Sequence, residues 1–350
     1  MTFRRTLPAE WAPQSAVMLT WPHSGTDWAD CLPEVEPVFR AIARAVIRFE
    51  HLIISCEDEA CLHREAQRLT DHAQEHGLPG RVIGVVAPAD DTWARDHGPL
   101  TVKTDSQVQL LDFGFNAWGG KFHWQKDNEL NRRLSEAGAF GSVPIEPIDF
   151  ILEGGSIESD GRGTLLTTSE CLLTPSRNPS CDRTDIEKLL ANTLGADRIL
   201  WLNHGYLAGD DTDSHIDTLA RFCAPDHICY VACHDVADEH YSALAAMEEE
   251  LQEFRQSNGK PYRLTPLPWP DPIYDDDGER LPATYANFLI VNGAVLLPTY
   301  GVPQDEEAIA VLTEIFPDRE IIPIDCRALI HQHGSLHCVT MQLPAGVVER

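Results

Sequence analysis

Basic residues are scarce in this chain: 27 Lys and Arg stand against 55 Asp and Glu, a net charge of −28. A surface of that sign repels phosphate backbones and anionic headgroups, so nucleic acid and membranes are not expected partners. Long apolar runs are missing too. No stretch approaches the roughly 18 apolar residues of a membrane span, and the basic start MTFRRT is not followed by a signal-type apolar core. A cytoplasmic protein is the expectation. None of the ten cysteines forms a CxxC pair, which points to reduced thiols buried as small hydrophobes rather than a disulfide framework. The GxSxG, GxxxxGKS/T and HExxH patterns are absent, and Gly161-Arg162-Gly163 lacks the third glycine of a dinucleotide loop.

What is present is an alternation of short apolar runs with amphipathic stretches. The run 15–21 reads as a buried strand ended by Pro22. Over 33–49 the residues Val35, Val38, Phe39, Ile42, Ala45, Val46 and Phe49 recur at helical spacing. A strand at 52–55, a helix over 59–76 stopped by Gly77, and a strand at 81–86 follow. The pattern continues through helices at 182–194, 239–258 and 305–315 to a last pair of strands around 336–342. Polar loops after strands fall near residues 96, 153, 215, 287 and 338, at intervals of roughly 50 to 70 residues. Such spacing predicts similar α/β modules around an axis, each lending one loop to a shared centre. Two tandem α/β domains are the alternative, although no linker separates them.

The densest chemistry is GDDTDSHID over 209–217, with four carboxylates and an imidazole. As a calcium loop from Asp211 it fails, because Ile216 holds the glycine position and Phe222 the terminal glutamate position. A helix-capping or turn cluster is one reading. The other takes His215 as a general acid/base near Asp217, on the same side if the backbone is extended. Asp96 follows Arg95 and Trp93 in a loop that ends in Gly98-Pro99, which also reads as a salt-bridged turn. Glu153-Gly154-Gly155-Ser156 is either a glycine turn or a point of close backbone approach to a ligand. Cys338 opens an apolar stretch behind His331, His333 and His337. These histidines, like the Cys223, Cys229, Cys233, His234 group, lack zinc-motif spacing. One thiol, one histidine and three carboxylates on separate loops suit nucleophilic attack on a cationic carbon. A noncatalytic metal-binding or scaffold protein is the alternative of another class.

The blocks DDTWARDHGP, FNAWGG, EGGSIESDGRGTLLTTSECLL, GDDTDSHIDTLARF, YANFLIVNG and HGSLHCVTMQLP occur in this order along nearly the whole chain. In that order they resemble the agmatine deiminase and bacterial peptidylarginine deiminase family. The resemblance implies a five-bladed, pseudo-symmetric α/β propeller of the pentein type, with one catalytic domain over 1–350 and its site on the central axis. It implies hydrolysis of a small cationic guanidinium substrate to a ureido product and ammonia, with no cofactor and no metal. Agmatine giving N-carbamoylputrescine for polyamine synthesis is the leading expectation; protein-bound or free arginine giving citrulline is the alternative. Carried across, the nucleophile is Cys338, the acid/base is His215, and Asp96 and Asp217 grip the guanidinium. Glu153 supports the histidine, and Trp93 walls the channel. Two departures stand out. Many relatives carry GGGNIHC before the nucleophile where this chain has HQHGSLHC, and Lys121-Phe122-His123-Trp124 replaces a more usual glycine and tyrosine pattern. Whether the chain forms a homo-oligomer is not legible in the sequence.

Overall fold

The computed structural model describes residues 5–104 and 107–349. Its strands fall into five small sheets. The first holds β1 (Gln14–Thr20), β2 (His51–Cys56) and β3 (Val82–Val86), and the second β4 (Leu100–Lys103), β5 (Val108–Gly114) and β6 (Ile145–Ile151). The third holds β7 (Ile157–Ser159), β8 (Thr164–Thr168) and β9 (Arg198–Leu202); the fourth β10 (Ala220–Ala224), β11 (His227–Val231) and β12 (Arg263–Leu267). The fifth holds β13 (Leu289–Val291), β14 (Ala294–Thr299) and β15 (Glu320–Asp325), and β16 (Thr340–Pro344) returns to the first.

Each sheet repeats one unit, an antiparallel hairpin whose second strand pairs in parallel with a third. The parallel step needs a crossover, supplied by the helices Leu32–Val46, Leu130–Glu136, Arg183–Leu194, Tyr241–Glu253 and Gln304–Ile315. In the first sheet the hairpin partner comes from the other end of the chain. There Leu19 lies opposite Thr340 and Met18 opposite Met341, so the two ends close the ring. The result is a five-bladed α/β propeller.

Local sequence explains where the crossovers start and stop. Asp182 and Asp185 cap Arg183–Leu194 reciprocally, and Gly195 ends it in the left-handed region at φ 72°. Asp58 accepts from the Cys61 N–H at the start of Glu59–His76, and Gly77 closes that helix at φ 62°. Leu32–Val46 has proline in its first turn and buries Val35, Val38, Phe39, Ile42 and Val46. Two sequence expectations change. The three-residue strand β7 was not anticipated, since it is too short to show a period. The expected terminal strand pair is a single strand, β16, whose partner β1 gives no local signal.

The functional loops share one topological position, just before the first strand of each unit. Turns over Ala94–His97, Gly154–Ser156 and Ile216–Thr218 precede β4, β7 and β10, while residues 284–288 and 335–339 precede β13 and β16. Beneath them the axis is filled by charge. Fully buried Arg221 donates to Glu158, to Glu10 Oε2 at 2.8 Å and to the carbonyls of Ala286 and Phe288. Removing one partner from such a buried set leaves an uncompensated charge and costs about 3–5 kcal/mol. No helix among the described residues is long and apolar enough to cross a membrane.

Candidate active site

Asp96 sits in the turn Ala94–His97, where its two oxygens face different neighbours. Oδ1 accepts from the Gly155 N–H at 3.0 Å and lies 3.6 Å from His215 Nδ1; Oδ2 accepts from Trp118 Nε1 at 3.0 Å. Gly155 is needed for that approach, because a Cβ there would stand 2.6 Å from His215 Nδ1 and 2.8 Å from Asp96 Oδ1. The glycines of the 153–156 loop thus bring backbone against the side chains of the site. Asp217 is held by His337, with Nδ1 to Oδ2 at 2.7 Å, and His337 Nε2 lies 2.8 Å from Glu10 Oε2. Cys338 Sγ is 3.4 Å from Asn287 Oδ1, which also accepts from the N–H groups of His337 and Cys338. The backbone does not run extended from His215 to Asp217: His215 caps the tight turn Ile216–Thr218, and His215 and Asp217 still converge around Gly155.

Glu153 takes a different immediate partner from the one expected. Its carboxylate accepts from Arg177 Nε at 2.8 and 3.0 Å, and Arg177 continues to Asp213 Oδ2 at 2.6 Å. A ligand atom of Glu153 also lies within 4.8 Å of His215 and Cys171, close enough to act on the imidazole electrostatically. Two groups among the described residues bring three His, Cys or acidic side chains this close: this one and Glu10, Glu158, His337. Each already contains a carboxylate paired with an arginine, and of the His and Cys clusters of the sequence only His337 takes part.

A narrow pocket of about 30 Å³ is lined by Asp96 and Cys338. Trp93, Trp118 and Phe122 form an aromatic wall, with Trp93 and Trp118 edge to face at 6.2 Å. Asp91 Oδ2 accepts from Trp93 Nε1 at 2.9 Å and fixes that ring. Asp27, Asp91 and Asp211 also line the pocket, and the described lining includes neither lysine nor arginine. Asp211 is thereby a pocket residue; Asp210, which accepts from Thr212 and Ser214, shapes the loop.

The electrostatics follow from burial and these neighbours. Burial pushes Asp96 up to about 6, against the pull of His215. Burial alone would depress His215, but Asp96, then the neighbouring Cys171 and Glu153, outweigh it and raise the imidazole to about 10. Burial lifts the Cys171 thiol in turn. Asp217 is held low despite burial by its hydrogen bond from His337. Burial, then Asp217 and Asp96, push the Cys338 thiol well above its ordinary range. The site is therefore a protonated imidazole and a neutral thiol among carboxylates, and a bound cation would favour the thiolate. Asp217 Oδ1, Asn287 Nδ2 and His215 Nε2 are buried and make no hydrogen bond within the protein.

All six sequence candidates, Cys338, His215, Glu153, Asp96, Asp217 and Trp93, meet here. Asn287, Trp118 and Arg177 were not singled out, and His337 was weighed only within a histidine cluster. The loop near 287 was marked by its recurrence, but Tyr285-Ala286-Asn287 carries no charge to draw notice. Arg177, in TPSRNPS, reads as an ordinary turn.

The model of the Porphyromonas-type peptidyl-arginine deiminase family matches residues 6–344. The chain belongs to that family. Among this deiminase family's curated members, the agmatine deiminase of Stutzerimonas stutzeri is 36% identical, covering 98% of this chain and 96% of its own. A solved structure from Porphyromonas gingivalis, provisionally assigned as an arginine deiminase, is 50% identical with a TM-score of 0.92, over 99% of this chain and 100% of that one. The agmatine deiminase of C. jejuni, solved with substrate bound, is 34% identical with a TM-score of 0.89, over 98% and 97% of the two chains.

Proposed function

We propose that this deiminase hydrolyses agmatine to N-carbamoylputrescine and ammonia, using the whole propeller as one catalytic domain. The observation that carries the choice of substrate is the charge of the pocket. Agmatine bears a cation at both ends, and four aspartates, Asp96 with Asp27, Asp91 and Asp211, line the pocket. Free arginine would bring its carboxylate among those acids with no lysine or arginine in the lining to receive it.

The roles follow from the chemistry of each group. Asp96 and Asp217 accept hydrogen bonds from the planar guanidinium fork and fix its carbon beside Cys338. The cation offsets the carboxylates that hold the thiol protonated, so Cys338 gives up its proton to solvent and the thiolate attacks the guanidinium carbon. A proton from His215 goes to the departing nitrogen, the C–N bond breaks and ammonia leaves a thiouronium on Cys338. His215 then takes a proton from water, the hydroxide adds to the same carbon, and the C–S bond breaks to release the urea. Glu153, neutralised in part by Arg177, holds the loop under His215 and favours its protonated form.

A panel of agmatine, free arginine and an acylated arginine amide, read by ureido-product detection, tests the reading. Agmatine is expected to give the highest kcat/KM, and Cys338→Ala to abolish product. Turnover of arginine with agmatine inert would replace this reading by the second one, arginine deimination. That alternative draws support from the 50% identity to the P. gingivalis protein.

A further inference from the structure

Between the catalytic residues and solvent, the mouth of the pocket is tied together by contacts that the proposed reaction does not use. Lys121 Nζ donates to the carbonyl of Asp211 at 2.6 Å and to Asp213 Oδ1 at 2.9 Å. It thereby joins the loop carrying Trp118 and Phe122 to the acidic loop carrying His215. On the far side, His333 Nδ1 lies 2.8 Å from the carbonyl of Gly209, and Gln332 Nε2 donates to the carbonyl of Asp27 at 2.9 Å.

The Lys121 tie bears on the pocket wall for a definite reason. Phe122 is 42% exposed and meets Trp118 edge to face at 5.8 Å. Ala117 and Trp118 lie at φ 48° and 53°, a left-handed conformation unfavourable for side chains larger than glycine. A loop so strained holds its position only if contacts anchor it, and beyond the buried Ala117 and Trp118 it reaches exposed Phe122. Asn116 does so at one end, through Ser176, and Lys121 at the other. Trp118 in turn hydrogen-bonds Asp96, so the tie reaches the base of the pocket.

Resting on the reading of this chain as a deiminase of small guanidines, we propose that Lys121 determines specificity. By bridging the two mouth loops it keeps the rim narrow enough for an unbranched alkylguanidine and too narrow for an arginine flanked by acylated backbone. Lys121 acts through the wall it positions and does not touch the reacting atoms.

The test compares wild type, Lys121→Ala and Lys121→Arg on agmatine and on an Nα-acyl-arginine amide. Wild type is expected to favour agmatine strongly. Lys121→Ala is expected to raise KM for agmatine about two- to fivefold, the range of a partly exposed ion pair, with kcat within about twofold. The preference for agmatine over the acylated arginine should narrow by about the same factor, and Lys121→Arg should restore both. If Lys121→Ala does not fold, Lys121→Met, which keeps the stem, is read against the same expectations. An unchanged KM and preference would overturn the proposal, as would an equal loss of kcat on both substrates without rescue by arginine. Wild type acting equally on both substrates overturns it while leaving the deiminase reading intact. Wild type inert on agmatine overturns it together with the reading on which it rests.

Discussion

With Asp96 raised to about 6 and His215 to about 10, the two groups set opposite limbs of the pH profile. Asp96 must be ionised to receive a guanidinium, so activity should fall as pH drops through about 6. His215 must be protonated to release ammonia, so activity should fall as pH rises through about 10. A bell-shaped kcat/KM is expected, its limbs belonging to the coupled site rather than to either residue alone; a profile still rising at pH 11 would remove His215 as the acid. The same shift has a thermodynamic sign. His215 titrates higher when folded, so the stability it contributes is complete below about 6.5 and lost as pH rises through about 10. Residue types were the most legible part of the site: a thiol, an imidazole and three carboxylates on separate loops already suggested attack on a cationic carbon. Their pairing came from the family resemblance. Asn287 stayed hidden, because an uncharged amide in an apolar stretch signals nothing until Cys338 is 3.4 Å away.

At the scale of elements, turns decide the geometry more than helices do. Gly155 stands where a methyl group would press on His215, Asp96 and Asp217, at 2.6, 2.8 and 3.2 Å. Gly155→Ala should fold yet lose about 100-fold in kcat/KM, since a displacement near 1 Å suffices for that. Steady-state kinetics beside a thermal melt would check it, and near-normal activity would show that the close approach is dispensable. The departure HQHGSLHC finds its account here too. His333 occupies the left-handed region at φ 64°, a place suited to the glycines of relatives, and its ring gains the contact with Gly209. Helices were legible because their caps are chemical: Asp58, Asp182, Gly77 and Gly195 mark ends that the structure reproduces within a residue or two. Strand β7 was not, because three residues carry no period.

For the whole molecule, the excess of acid should be measurable as attraction. A net charge of −28 and an acidic pocket mouth favour the approach of a dication, and salt screens that over a Debye length of about 10 Å at 0.1 M. Raising ionic strength from about 0.02 to 0.5 M should lower kcat/KM for agmatine several-fold and leave kcat little changed. A flat response would mean that the surface charge serves solubility alone. The fivefold organisation was legible as a recurrence of polar loops. The closure was not, because nothing local in Thr340–Pro344 names β1 as its partner. That closure also orders events in time. Ser15 and Leu343 are hydrogen-bonded across 328 positions of sequence, and the nucleophile lies two residues before the strand that completes the ring. A chain still being synthesised therefore has its carboxylates and histidine in hand long before it has the thiol of Cys338. Catalytic competence comes only when the C-terminal strand completes the first blade, and this slow, long-range pairing makes enzymatic activity a readout of finished folding.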